Sequence, residues 1–134
     1  MDKDGVLLNS YRRINGDALM NKRILIVDDS SMMRKMIAKT LEPSGHVIVG
    51  EAKNGLEAIE LYKSLKPDIV TMDITMRVMD GLSAAKEILQ HDESAHILFL
   101  SNLDEEKYRA EVVRLGAMGF VNKHKANELL DMIK

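Results

Sequence analysis

Five times along the chain a short apolar, β-prone run gives way to a polar break and then to a stretch with helical periodicity. The runs are Ile24-Leu25-Ile26-Val27, Val47-Ile48-Val49, Ile69-Val70-Thr71-Met72 ending in Asp73, Ile97-Leu98-Phe99-Leu100 ending in Ser101, and Ala117 to Asn122 around Phe120 and Val121. Strands that read as near-continuous apolar runs are buried on both faces, as in parallel sheets covered by crossover helices. The intervening stretches supply those helices. Met33, Ile37 and Leu41 form a stripe stopped by Pro43-Ser44-Gly45, and Leu56, Ile59, Tyr62 and Leu65 form one between Asn54-Gly55 and Lys66-Pro67. Leu82, Ala85, Ile88 and Leu89 follow Asp80-Gly81, where Asp80 reads as a helix cap. A highly charged helix is expected from about Asp104 to Leu115, and a short one from Asn127 to Ile133. Right-handed crossovers then predict an α/β doubly wound, flavodoxin-like fold: a five-stranded parallel sheet of order 2-1-3-4-5 with helices on both faces.

Three of the breaks are acidic or hydroxylic at a strand's C-terminal end: Asp28-Asp29-Ser30-Ser31, Asp73 and Ser101. Ligands of open α/β sheets collect there, so acids at those points are placed for chemistry. Asp28, Asp29 and Asp73 leave what should be neighbouring strands. Three converging carboxylates need a cation to relieve their repulsion, and Mg²⁺, a hard ion with oxygen ligands and retained waters, suits them best. A carboxylate beside such an ion can act as a nucleophile toward a phosphoryl group.

Other chemistries are excluded or disfavoured. The 134 residues, 46% hydrophobic and 30% charged, suit one domain that buries roughly two thirds of its unfolded surface. A net charge of −2 and a pI near 6.1 offer no basic field for nucleic acid. No apolar run approaches the roughly 18 residues of a membrane span. Zero cysteines remove disulfides and thiolate metal sites. The start, Met1-Asp2-Lys3-Asp4-Gly5, lacks the basic and apolar regions of a signal peptide, which makes a cytoplasmic monomer the expectation. Residues 1–21 lack a clean period and are expected to form an appendage, disordered or loosely docked, ahead of a domain spanning 22–134. The four histidines, His46, His91, His96 and His124, lack metal spacing and read as surface residues, and the ten methionines as adaptable packing.

The chain resembles the receiver domain of bacterial response regulators, of the stand-alone chemotaxis CheY type. The resemblance is carried by Ile24 to Ser30 with Met33-Arg34, Pro67 to Ile74, Met79-Asp80-Gly81, Ser101, and Gly116-Ala117 leading to Phe120 and Lys123. It implies that Asp73 accepts a phosphoryl group from a histidine kinase or phosphotransfer protein, with Mg²⁺ held by Asp29 and Asp73 directly, by Asp28 through water, and by the backbone carbonyl of Thr75. It further implies that Lys123 pairs with the phosphoryl group, that Ser101 moves toward it, and that the Phe120 rotamer follows. With no output domain after residue 134, the signal is expected to leave through a downstream protein bound on the face of the fourth helix, fifth strand and fifth helix, carrying Lys107, Tyr108, Glu111 and Phe120. Met32, with Arg34, Lys35 and Lys39 around it, is expected to dock the phosphodonor. Two readings from other classes stand beside this one. A Mg²⁺-dependent hydrolase of the haloacid dehalogenase type would want an acid where Thr75 stands, and a pseudo-receiver would bind partners with weak or no phosphorylation.

Three positions depart from the family: Asn102 replaces a small residue, and Arg77 and His124 replace prolines. The family's Lys-Pro bond is commonly cis. A cis bond before a residue other than proline costs about 2.5–4 kcal/mol, so residues 123–124 are expected trans, with Lys123 reaching Asp73 by a different rotamer or not at all.

Overall fold

The computed structural model describes residues 21–133; the expected appendage, residues 1–20, lies outside them apart from Asn21. Five strands, β1 (Arg23–Val27), β2 (Val47–Ala52), β3 (Ile69–Asp73), β4 (Ile97–Ser101) and β5 (Gly119–Asn122), form one parallel sheet in the order β2-β1-β3-β4-β5. Between and after them run α1 (Ser31–Leu41), α2 (Gly55–Leu65), α3 (Gly81–His91), α4 (Arg109–Leu115) and α5 (Ala126–Ile133).

Alternate residues of each strand feed two separate cores. Ile24, Ile26, Ile69, Leu98, Leu100 and Val121 pack with Ile37 and Leu41 of α1 and Leu129 and Ile133 of α5. Leu25, Val27, Val70, Met72, Ile97, Phe99 and Phe120 point the other way, against α2, α3 and Val112 of α4. Every residue of β3 and of β4 is buried, which explains why the sequence shows continuous apolar runs and not alternation. Thr71 is an exception in kind: its hydroxyl is buried with no hydrogen-bond partner.

The helices begin where the sequence carries caps. Ser30, Asn54 and Asp80 each accept a backbone N–H three residues on, from Met33, Glu57 and Ser83, a contact worth about 0.5–2 kcal/mol per helix. Four expectations need correction. Leu56 is about half exposed, because Gly55, Ala58, Ile59 and Tyr62 form the buried face of α2. β2 runs to Ala52, since each added residue pairs with β1 and the edge position tolerates Glu51. The charged helix divides into a 3-10 segment, Leu103–Tyr108, and α4. His46 is buried, its Nδ1 accepting the Lys22 N–H at 3.1 Å, and burial and then the Lys22 charge hold its pKa below the ordinary value. His91, His96 and His124 are exposed as expected.

Candidate functional site

The site is built where β1, β3 and β5 end. Asp28 continues the β1 ladder by donating its N–H to the Ala52 carbonyl at 3.0 Å, which fixes its side chain over the sheet's edge. Its carboxylate is oriented by the protein: Oδ1 accepts the Ser30 N–H at 2.8 Å and Oδ2 accepts from Lys123 Nζ at 3.1 Å. Asp29, next along, is exposed. Arg34 reaches back from α1, donating through Nη1 to the Asp28 carbonyl at 2.7 Å and through Nε to Glu51 at 2.8 Å. Its guanidinium thereby braces the Asp28 peptide.

Asp73 ends β3 at 4% exposure. Its Oδ1 accepts the Ile74 N–H at 2.9 Å and Lys123 Nζ at 3.2 Å. The loop beyond it is folded back closely. Gly81 donates its N–H to the Ile74 carbonyl at 2.7 Å, and a Cβ on Gly81 would lie 1.9 Å from the Asp73 carbonyl oxygen, so only glycine fits there. The loop's apex is Val78, 75% exposed with φ 70°, between an Arg77 carbonyl and a Met79 N–H bonded at 2.7 Å. A β-branched residue in that region is strained, and such strain clusters near functional sites.

Lys123 is aimed by the sheet. Its N–H donates to the Ser101 carbonyl at 2.9 Å, prolonging the β4–β5 ladder. The 123–124 bond is trans, as expected, since no cis bond occurs among the described residues. The lysine reaches both acids by this trans route, which removes one of the two expected alternatives, that it would not reach Asp73 at all. Asn122 supplies the turn: its Oδ1 accepts the His124 N–H at 2.8 Å and its carbonyl the Lys125 N–H at 3.0 Å.

Burial, then the charge of Asp28, pushes the Asp73 carboxyl up to about 7 against the opposing pull of Lys123, and Glu105 adds to the rise. Burial alone would lower the Lys123 pKa, but the charges of Asp73 and Asp28 outweigh it and raise it. One ammonium thus serves a cluster of three acids. Asp28, Asp29 and Asp73 each offer a carboxylate oxygen, all within 4.8 Å of one another, and that oxygen-only, under-neutralised set fits a hard divalent cation.

The other expected residues divide. Ser101 is buried and its hydroxyl donates across to the Val121 carbonyl at 3.4 Å, a long bond. Phe120 is also buried, with the Arg109 guanidinium 4.5 Å from its ring centroid. Lys107 is exposed, 5.4 Å from the Tyr108 ring centroid. Tyr108 packs against the core, and Glu111 is half-buried and pairs with Lys86 at 3.4 Å. Met32 is 74% exposed on α1, with Met36, Lys35 and Lys39 also exposed. A polar groove of about 260 Å³ lined by Ser101, Asn102, Glu106, Arg109, Phe120, Asn122, Lys125 and Glu128 opens between the 3-10 segment and α5.

Sequence reasoning missed Glu105. It is buried; its Oε1 accepts the Asn102 N–H at 2.7 Å and its Oε2 the Thr75 hydroxyl at 2.8 Å. The signal was present as Asn102 and Glu105 three residues apart after a strand, the spacing of a capping box.

Comparison with known proteins agrees with this geometry. The response regulator receiver domain family matches residues 24–134. The chemotaxis protein CheY of Thermotoga maritima is 47% identical over 104 residues, 78% of this chain and 87% of that protein. CheY of Bacillus subtilis is 44% identical over 115 residues, 85% of this chain and 96% of that one. Among solved structures, a chain of the CheX-CheY-BeF3-Mg²⁺ complex from Borrelia burgdorferi superposes with a TM-score of 0.81 at 32% identity, covering 87% of this chain and 90% of that one.

Proposed function

The chain belongs to the response regulator receiver family, and from that premise we propose that Asp73 is the residue that takes the phosphoryl group. The protein is a phosphoacceptor of two-component signalling, of the chemotaxis type. The observation that carries the assignment to Asp73 is its position: a carboxylate at the end of the central strand β3, with Lys123 Nζ at 3.2 Å and two further acids beside it.

In the transfer, a carboxylate oxygen of Asp73 forms a bond to phosphorus as the bond from phosphorus to the donor's imidazole nitrogen breaks, the electron pair leaving with the imidazole. Phosphoryl transfer asks mainly for alignment and neutralisation of the equatorial oxygens. Lys123 supplies one fixed positive charge. Asp28, Asp29, Asp73 and the Thr75 carbonyl would hold Mg²⁺, which when bound supplies the remaining positive charge. Asp28 orients Lys123, and Arg34 braces Asp28.

Receiver domains of this kind interact with kinases and with downstream targets. For this chain, Met32, Met36, Lys35 and Lys39 on α1 suit an apolar anchor with a basic surround for a phosphohistidine donor. The groove over Phe120, with Lys107, Tyr108 and Glu111 on the segment above it, suits a downstream protein once Ser101 and Phe120 shift. Among the described residues no helix is long and apolar enough to cross a membrane. The family match supports 22–134 as the receiver unit.

The test is incubation with a small phosphodonor and Mg²⁺, read by intact mass. A single phosphoryl adduct that is lost in Asp73→Asn is expected. Steady turnover of a small phosphoester would instead favour a hydrolase, and no adduct at all a pseudo-receiver.

A further inference from the structure

Among the buried acids of the described residues, Glu105 stands apart. Asp28 and Asp73 share Lys123, but Glu105, 7% exposed, has no lysine or arginine partner among the described residues. A buried carboxylate without a cation depends on its hydrogen bonds to stay ionised, and negative charge added nearby makes its position more costly. Its two bonds go to different segments. Oε1 accepts from the Asn102 N–H, in the turn directly after Ser101; Oε2 accepts from the Thr75 hydroxyl, in the loop two residues beyond Asp73. The Glu105 N–H also donates to the Asn102 carbonyl at 3.1 Å, so residues 102–105 form one closed unit. One side chain therefore ties the turn that follows β4 to the loop that follows the acceptor.

We propose that Glu105 is a positioning residue: it clasps the turn after β4 to the Thr75 loop while Asp73 is unphosphorylated, and it lets go when a phosphoryl group is placed on Asp73. This rests on Asp73 being the acceptor. Its charge already acts on the Asp73 carboxyl, so the two sites are within electrostatic reach of one another. A phosphoryl group adds negative charge at Asp73 and repels the carboxylate. The Ser101 hydroxyl, held only by its 3.4 Å bond to Val121, is free to turn toward the new oxygens as the Asn102 amide is released. Release then moves the turn, the 3-10 segment and α4 as one body, carrying Lys107 and Tyr108.

A glutamate that merely capped the turn would need Asn102 alone, and Thr75 separates the two roles. Amide hydrogen exchange over residues 102–108 is the readout, in the full chain without phosphodonor and after phosphorylation verified by mass. Thr75→Val should speed exchange about tenfold or more without phosphodonor, the effect of losing one hydrogen bond to a charged acceptor. Phosphorylated wild type should show a similar acceleration. Glu105→Gln, which keeps the side chain's reach without its charge, should show little further acceleration on phosphorylation. Unchanged exchange in Thr75→Val overturns the clasp, as does an intact adduct with the turn still protected, or a Glu105→Gln response equal to wild type. Absence of any adduct on wild type overturns the phosphoacceptor reading and the release with it, whereas an adduct beside a silent Thr75→Val overturns the clasp alone.

Discussion

Asp73 sits in a site with more negative than positive charge, and its protonation should show it. Because burial and Asp28 raise its pKa above that of the unfolded chain to about 7, the metal-free native state holds a proton that the unfolded state gives up. The contribution to stability is therefore present at acid pH and lost as pH rises through about 7. Thermal melts in chelator should show Tm falling by several degrees between weakly acidic and weakly alkaline pH, and Asp73→Asn should flatten that slope. Mg²⁺ held by these acids would bind the ionised form, so its affinity should climb over the same interval. A metal-free slope of the opposite sign would show that Lys123 holds Asp73 ionised throughout. Residue identities of this kind were largely legible in the sequence: an acid ending an apolar strand is conspicuous. The commitment of Arg34 was not, because a surface-like charged residue turned inward by its hydrogen bonds looks the same in sequence as one turned outward, and the bond of Glu105 to Thr75 was not, because a capping-box spacing signals only its bond to Asn102.

At the scale of elements, the loop from β3 to α3 is shaped by contact more than by its own preferences. Gly81 lies against the Asp73 carbonyl, and Gly55 at the start of α2 donates to the Met79 carbonyl at 3.0 Å, so two helix starts hold the loop after Asp73 from either side. Gly81→Ala places a Cβ in the Asp73 carbonyl, and overpacking of this sort costs about 1–3 kcal/mol or more. Chemical denaturation should show a loss of that size, and the fraction that folds should phosphorylate more slowly because the acceptor's own peptide has moved. Full stability and rate in Gly81→Ala would mean that the loop yields freely. Strand and helix identities were readable from apolar runs and caps. The break at Tyr108 and the outward turn of Leu56 were not, since each is decided by which neighbour occupies the core: Val112 beneath α4 and Ala58 beneath α2. The trans connection after Lys123 was anticipated on energetic grounds, whereas its harmlessness depends on the Asn122 side chain, a local turn that no period reveals.

For the molecule as a whole, the proposed metal site would couple binding to folding, because the acids converge only when β1 and β3 are paired. A ligand that binds only the native state at a hundred times its dissociation constant adds about 2.7 kcal/mol of stability. Mg²⁺ at a hundred times its dissociation constant should accordingly raise the unfolding free energy of the wild type by about 2.7 kcal/mol, read as an upward shift of the denaturation midpoint, and Asp29→Asn should lose most of the gain. An equal shift in both proteins would place the ion elsewhere. The strand order followed from the sequence because regular strand-helix alternation leaves few topologies open, and the family match added confirmation of that architecture.

Lys123 is 95 positions after Asp28 and 50 after Asp73, the two acids its ammonium holds. On a ribosome the three acids emerge first and their counter-charge last, and at about 5–20 residues per second the acids wait several seconds for it. A nascent chain ending before β5 carries the acceptor without the lysine and exposes β4 as a sheet edge. The finished site is thus closed by the final strand, and the delay before it can react is set by the length of chain still to be translated.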